Sequence, residues 1–431
     1  MPHFRELQEL MKEICLWVDL RHEQGVDLLP CVERIKEDFL RVRSQLERSG
    51  PSAAALRREP NELAAIQALR PPGPHRLWDE LPVEGRQSRL RGAWLGRSAG
   101  CTLGAPVEDW IPEAMEDLAT LGGQPFPPSD YWAVHPRTTR PCYVPNDMRP
   151  YLKSGICCVP VDDDTTYTLL GLLILEKYGP GFSTADVADL WAKHVTIAFT
   201  AEEVSIRNLW AGVSAEMAGE VGNPYQEWIG ADIRSDPWGY VAPGWPEKAA
   251  ELAYRDAYLT HRQNGIYGAM FFAAVIAAAF AVDDPIQAIE IGLHEIPAEC
   301  RLAEDVRWAL RTATKLKDWR DARKKVLERF PGMDSTHTNN NACLTVFGLS
   351  LGDGDFTRTI GHTVAMGFDN DCTAATAGSI LGAVIGIENI PGHWWRPFGD
   401  KVQTSLAGHE EFSTRDLLAR FEKCIDQVWN S

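Results

Sequence analysis

The 431-residue sequence lacks several features that would decide its class at once. None of its ten cysteines stands in C-x-x-C spacing, which argues against a zinc site or a disulfide framework and leaves most of them as reduced core residues. Basic charge is short: 43 Lys and Arg face 60 Asp and Glu, a net charge of −17. Residues 1 to 91 are balanced at 15 of each sign, so the whole deficit lies beyond them. A surface of that sign repels phosphate backbones, so neither broad nucleic-acid binding nor attachment to an anionic membrane is expected. Long apolar runs are missing as well. The only membrane-like stretch is the 18 charge-free residues Gly265 to Val282, which is rich in Ala and Gly and ends at Asp283-Asp284-Pro285, so it reads as a buried central helix. The opening MPHFRELQEL is too polar for a secretory signal, and a cytoplasmic setting is expected. Convincing alternating strands are scarce, and there is neither an internal repeat nor a low-complexity tract.

What is present is helical periodicity, and within the body Ala185 to Phe199 reads as one helix. Phe4, Leu7, Met11, Ile14 and Val18, then Val32, Ile35, Phe39, Val42 and Leu46, form two stripes in 3-4 spacing separated by Gly25 and Pro30. They predict a helical hairpin with two or three turns per arm, packed on the main body or on a partner copy. Pro51 to Pro82 reads as a proline-rich linker around one short helix. Residues 1–75 are therefore taken as hairpin and linker, and 76–431 as an all-α body with long irregular loops at 109–160 and 212–246. Loops of that length in a compact domain usually carry function.

Two acidic clusters stand immediately before apolar helices. In VPVDDDTTYTLLGLLILEKYG, Asp162, Asp163 and Asp164 precede Thr165. One Asp satisfies an N-cap, and a helix dipole offsets only about 0.3–1 kcal/mol per charge, so three in a row point to a hard cation. In GFDNDCTAATAGSILGAVIG, Asp369 and Asp371 stand two apart, followed by Cys372, Thr373 and a run of small residues that permits close helix packing. Together the clusters suggest a two-cation oxygen-ligand site suited to Mg²⁺ or Mn²⁺. A third element, RLRGAWLGRSAGCTLGAPVEDW, sets Gly92, Gly96, Gly100 and Gly104 at four-residue spacing and closes on Glu108.

Taken in order, these elements resemble the ADP-ribosylglycohydrolase family, with its Gly-rich first helix closing on a Glu, its T-D-D-T stretch and its C-terminal G-x-D-x-D-[ST] stretch. GADIRSDPWGY (Gly230 to Tyr240) occupies the place of the family's substrate loop, and the resemblance covers about residues 86 to 400. It implies an all-α, orthogonal multi-helix bundle, to which the N-terminal hairpin is an addition. Three positions depart from the pattern. Asp162 stands where the family usually has Thr, Cys372 where the last metal-binding hydroxyl belongs, and Gly100-Cys101 in place of an early Gly-Asp. A thiol is a soft ligand that Mg²⁺ disfavours, so Thr373 or water would substitute, or the second ion would be held more weakly.

The resemblance implies hydrolysis of the bond joining ADP-ribose to an acceptor. Asp162, Asp163, Asp164, Asp369 and Asp371, with Cys372 or Thr373, would hold two divalent ions. Glu108, Asp163 and Asp369 are the catalytic candidates. Gly230, Asp232, Ile233, Arg234 and Ser235 would lie along the ADP-ribose, with Arg234 available for phosphate unless an acid such as Asp236 claims it. His261 and Asn264 would stand near the adenine end. Asn339, Asn340 and Asn341 read as caps of the helix that follows, with His337 and Thr338 in reach of the site. The segment Tyr131 to Tyr151 and His393-Trp394-Trp395 would shape a pocket or cover the core. The expected partner is an ADP-ribosylated macromolecule or an ADP-ribose-containing small molecule. A blocking protein on the same fold and hydrolysis of a free riboside are the alternatives, and the hairpin stripes are compatible with a homodimer.

Overall fold

The computed structural model describes residues 5–134 and 148–431. The central part of the aromatic segment read at Tyr131 to Tyr151, with Cys142, lies outside the described residues. One compact unit comprises Met1–Arg57 with Phe330–Met333, the other Arg58–Arg329 with Asp334–Ser431.

In the first unit the helices Arg5–Glu23 and Leu29–Arg48 have 19 and 20 residues, about five turns each at 3.6 residues per turn and longer than their apolar stripes predict. Charged residues carry the helices past the stripes, helped by local pairs such as Arg43 Nε to Glu47 Oε1 at 2.9 Å. Gly25, at φ +75°, turns the chain between them. Two helices alone leave even Ile14, Val18, Val32 and Ile35 only half-buried, and Leu7, Trp17, Leu29 and Leu46 remain exposed.

The second unit is all-α apart from a short antiparallel pair, Val402–Gln403 with Glu411–Phe412. The helix Asn264–Ala279 is buried along its whole length. Among the described residues no helix is long and apolar enough to cross a membrane. Residues 58–75 are built into this unit: Arg301 binds the buried Glu59 carboxylate, and Arg70 Nη1 donates to Glu295 Oε2 at 2.7 Å. The pattern read as one helix over Ala185–Phe199 is broken at Val195, where the chain bridges to Leu406, and a new helix runs Thr200–Trp210. Two further helices, Pro112–Leu121 and Phe356–Ala365, lie where the sequence predicts none.

The glycine spacing explains the centre of the fold. A Cβ at Gly92, Gly96 or Gly100 would stand 2.3, 2.3 or 2.0 Å from the carbonyl oxygens of Gly382, Gly378 and Ala374. At Gly104 it would stand 2.4 Å from Asp371 Cα. The helices Arg86–Gly104 and Asn370–Ile385 thus touch backbone to backbone, and Gly378 and Gly382 return the favour, their own Cβ positions being 2.3 and 2.1 Å from the oxygens of Gly96 and Gly92. This contact fixes the start of the second helix, and hence Asp369 and Asp371, against the end of the first.

Candidate metal centre and active site

Asp162 caps the helix Asp163–Tyr178, its carboxylate accepting from Asp164 N at 3.0 Å. Capping is thereby complete, and Asp163 and Asp164 are surplus to it. Asp164 is held from behind by Arg97, which rises from the glycine-ridged helix: Nη2 donates to Asp164 O at 2.8 Å and Oδ1 at 3.0 Å, Nη1 to Asp236 Oδ2 at 2.7 Å. All three side chains are fully buried. At the second cluster, Gly367 and Phe368 take positive φ of 70° and 66° and turn the chain into Asp369, which begins its helix without a side-chain cap bond. Asp109 N donates to Phe368 O at 3.0 Å, and Asn370 Nδ2 to Val107 O at 3.3 Å. These two bonds bracket Glu108 and hold it beside the Asp369 loop.

Among the described residues, three groups of side chains have ligand atoms within 4.8 Å of one another: Glu108, Asp369 and Asp371; Asp164, Asp371 and Cys372; and Cys101, Asp162 and Asp164. Asp371 belongs to two of them and Asp164 to two. Burial is the main reason these carboxyls resist ionisation, and neighbouring carboxylates add to it. Asp164 and Asp371 are each pushed up to about 7, Asp164 in spite of the Arg97 guanidinium. Asp162 and Asp369 lie well above the usual range. Asp369 Oδ1 and Asp371 Oδ1 are buried with no hydrogen-bond partner. Such a set is unfavourable as bare anions and is what a divalent cation would satisfy.

A cavity of about 290 Å³ opens over the cluster. Asp162, Asp163, Asp369, Asp371, Cys372 and Glu108 line one side, and Trp110, Tyr151, Phe199, Ile229 and Ile233 supply aromatic and aliphatic wall. Of the substrate loop read from the sequence, Gly230 and Ile233 face this cavity. Asp232 and Ser235 are buried, the Ser235 hydroxyl donating to Asp232 O at 2.6 Å. Arg234 is also buried, and its guanidinium is committed inward: Nε to Asp256 Oδ2 at 2.7 Å, Nη2 to Thr260 Oγ1 at 2.7 Å, and Nη1 to Glu202. The acid it pairs with is therefore not Asp236, which belongs to Arg97. His261 is buried with Nδ1 2.6 Å from Thr260 Oγ1, and burial pushes its pKa well down. Asn264 Oδ1 accepts from Leu302 N at 2.9 Å. Neither side chain lines the cavity.

Thr373 stands next to Cys372 but faces away, its hydroxyl donating to Asp369 O at 3.0 Å. Asn340 and Asn341 serve the loop before their helix, donating to Asp334 O and Ser335 O at 2.7 Å each, while Asn339 donates to Asp305 Oδ2 of the helix Arg301–Ala313 at 2.8 Å. From that loop it is Thr336, rather than His337 or Thr338, that lines the cavity. Trp394 is buried with Nε1 on Thr357 Oγ1 at 2.8 Å and covers the core. Sequence reasoning missed Arg97, Glu202 and the walls Trp110 and Phe199. Arg97 carried a signal, the one charge between Gly92 and Gly104 in the small-residue part of its helix; Glu202 carried none, since it reads as an ordinary first-turn acid.

The family model described as ADP-ribosylglycohydrolase matches residues 82–424. A solved structure described as an ADP-ribosylglycohydrolase-related protein complex aligns at a TM-score of 0.51 and 19% identity, covering 81% of this chain and 99% of that one, a likeness of fold. No curated protein matches the sequence significantly.

Proposed function

The chain belongs to the ADP-ribosylglycohydrolase family, and from that premise we propose that it hydrolyses the glycosidic bond between ADP-ribose and a modified acceptor, with divalent cations bound at the carboxylate cluster. The observation that carries this reading is the convergence of Asp162, Asp163, Asp369, Asp371 and Glu108 on one cavity wall. Mg²⁺ or Mn²⁺ is the ion that the carboxylates alone would select. Asp162, Asp163, Asp164, Asp369 and Asp371 would hold the ions. When bound, they would supply positive charge that orients the ribose hydroxyls and stabilises charge developing at the reacting centre.

The chain's own residues do the rest. The backbone bonds around Glu108 hold its carboxylate beside Asp369, in position to accept a proton from an attacking water at the cluster. Trp110, Tyr151 and Phe199 shield the reacting bond from bulk water and offer ring faces to the sugar or base. Gly230 keeps its backbone close to the cavity because Glu202 fills the space where a side chain would go, with Oε1 2.3 Å from the Cβ position.

A second reading, hydrolysis of a small free riboside, is favoured by the lining. Among the described residues no Lys or Arg side chain lines the cavity, so a diphosphate finds no cationic side chain there. Release of ADP-ribose from substrates modified on Arg, Ser, Asp/Glu or DNA, alongside free ribosides, tests both. The proposal expects release that chelator abolishes and Asp371→Asn lowers by more than about 100-fold, an interaction of about 3 kcal/mol in the transition state. Release from ribosides alone favours the second reading. No release from any of them overturns both.

A further inference from the structure

Of the three ligand groups, two contain a thiol, and both thiols flank Asp164. Cys372 Sγ lies 3.2 Å from Asp164 Oδ2 and on the cavity wall. Cys101 stands with Asp162 and Asp164 on the other side. We propose that the ion bound between Asp164, Asp371 and Cys372 is a thiophilic divalent cation of the Zn²⁺, Fe²⁺ or Co²⁺ kind, ligated by the Cys372 sulfur. This rests on the cation reading of the proposed function and refines which cation it is.

Three observations carry it. The first is the donor set at that position. The Thr373 hydroxyl donates to Asp369 O and Thr373 does not line the cavity, whereas Cys372 does, so the wall offers sulfur where a hard ion requires oxygen. The second is a vacancy in bonding. Asp371 is only 4% exposed, its Oδ1 has no hydrogen-bond partner, and one of its carboxylate oxygens lies within 4.8 Å of an Asp164 oxygen and the Cys372 sulfur. Donors of a tetrahedral ion at bond lengths of about 2.0–2.3 Å stand about 3.3–3.8 Å apart, close to the 3.2 Å between Cys372 Sγ and Asp164 Oδ2. The third is charge. Arg97 Nη2 occupies Asp164 Oδ1 at 3.0 Å, leaving Oδ2 as the oxygen turned to Cys372. Asp164 Oδ2, an Asp371 oxygen and one sulfur form a mixed set that zinc-like ions accept and Mg²⁺ does not. On binding, the Cys372 S–H proton leaves to solvent as the metal–sulfur bond forms, with no change of oxidation state.

The test is titration of the full-length, reduced, metal-free protein with Co²⁺, reading sulfur-to-cobalt charge-transfer absorption in the near ultraviolet. Competition with Zn²⁺ and Mg²⁺ follows. The expected result is a saturable band in the unaltered protein that is lost in both Cys372→Ser and Cys372→Thr while Co²⁺ still binds. The preference for Zn²⁺ over Mg²⁺ should fall at least about tenfold in the same variants. A fold-preserved Cys372→Thr, checked by circular dichroism, guards against a trivial loss in the serine variant. Binding of Co²⁺ to the unaltered protein without the band overturns the proposal. So does a band that persists in the Cys372 variants and vanishes in Cys101→Ser. Because the readout is optical, a band without any ADP-ribose release leaves the thiophilic site standing and removes the hydrolase reading. Release supported by Mg²⁺ without the band does the reverse.

Discussion

Replacing Gly100 by Ala puts the helix contact behind the site to a quantitative test. The added methyl would lie 2.0 Å from Ala374 O and 2.7 Å from Ala375 N. Ordinary contact is about 3.5 Å, so the two helices must part by about 1 Å or more. Alanine gains about 0.8–1 kcal/mol of helix propensity over glycine. Overpacking costs about 1–3 kcal/mol, and the obstacle here is backbone, which has no rotamer to give. The net expectation is a loss of about 1–2 kcal/mol, a fall in Tm of only roughly 1–2 °C for a chain this size, at about 2.1 cal/mol/K of unfolding entropy per residue. The displacement is also directional: it lifts Asn370–Ile385 at the turn that carries Asp371 and Cys372, away from Asp164. Thermal unfolding and cation affinity, measured on Gly100→Ala and on Gly181→Ala as a control with nothing within 4 Å of its Cβ, separate the two effects. Affinity should fall in the first and hold in the second. A Gly100→Ala protein as stable as the parent, with unchanged cation affinity, would refute the idea that backbone contact sets the site.

Arg234→Met should behave as a stability lesion, because it leaves Glu202 and Asp256 buried without their cation; the expected loss is about 3–5 kcal/mol by chemical denaturation. Undiminished stability with a raised KM would instead restore Arg234 to phosphate binding. Stability should also depend on pH in a cation-sensitive way. Asp164 and Asp371 have carboxyls raised from 3.8 to about 7, which disfavours the ionised form of each by about 4 kcal/mol. The stability tied to their neutral forms is complete below pH 3.8 and is lost as pH rises through about 7. Chelator-treated protein should therefore lose Tm between about pH 4 and 7, and saturating divalent ion should flatten that slope by taking the place of the protons. Equal slopes with and without the ion would contradict a cation site at these carboxyls.

The parts of this molecule that were legible in the sequence are those whose physics is local. Three adjacent carboxylates before an apolar helix exceed what capping needs, and the structure shows that Asp162 alone does the capping. Glycines four apart predict a close crossing, and each lies against a backbone atom of the small-residue helix. What was hidden depends on partners far along the chain. The helix pattern through Phe199 gave no sign of a break, because the cause is a bridge from Val195 to Leu406.

Charge pairing shows the limit most sharply. Asp236 stands only two residues from Arg234 in sequence, yet it is claimed by Arg97, 139 residues away, while Arg234 turns to Glu202, 32 residues back, and to Asp256. Sequence supplies the charges, and only the fold says who neutralises whom. The exchange has a consequence for the site. Arg97 ties the Asp164 end of the cation cluster to Asp236 and to Ile233 O at 2.6 Å, and Arg234 ties the adjoining turn to Glu202, which lines the same cavity. Two buried arginines thus lock the carboxylate wall and the loop wall of the cavity to each other. A lone change at either one should be felt at both walls, although neither guanidinium lines the cavity.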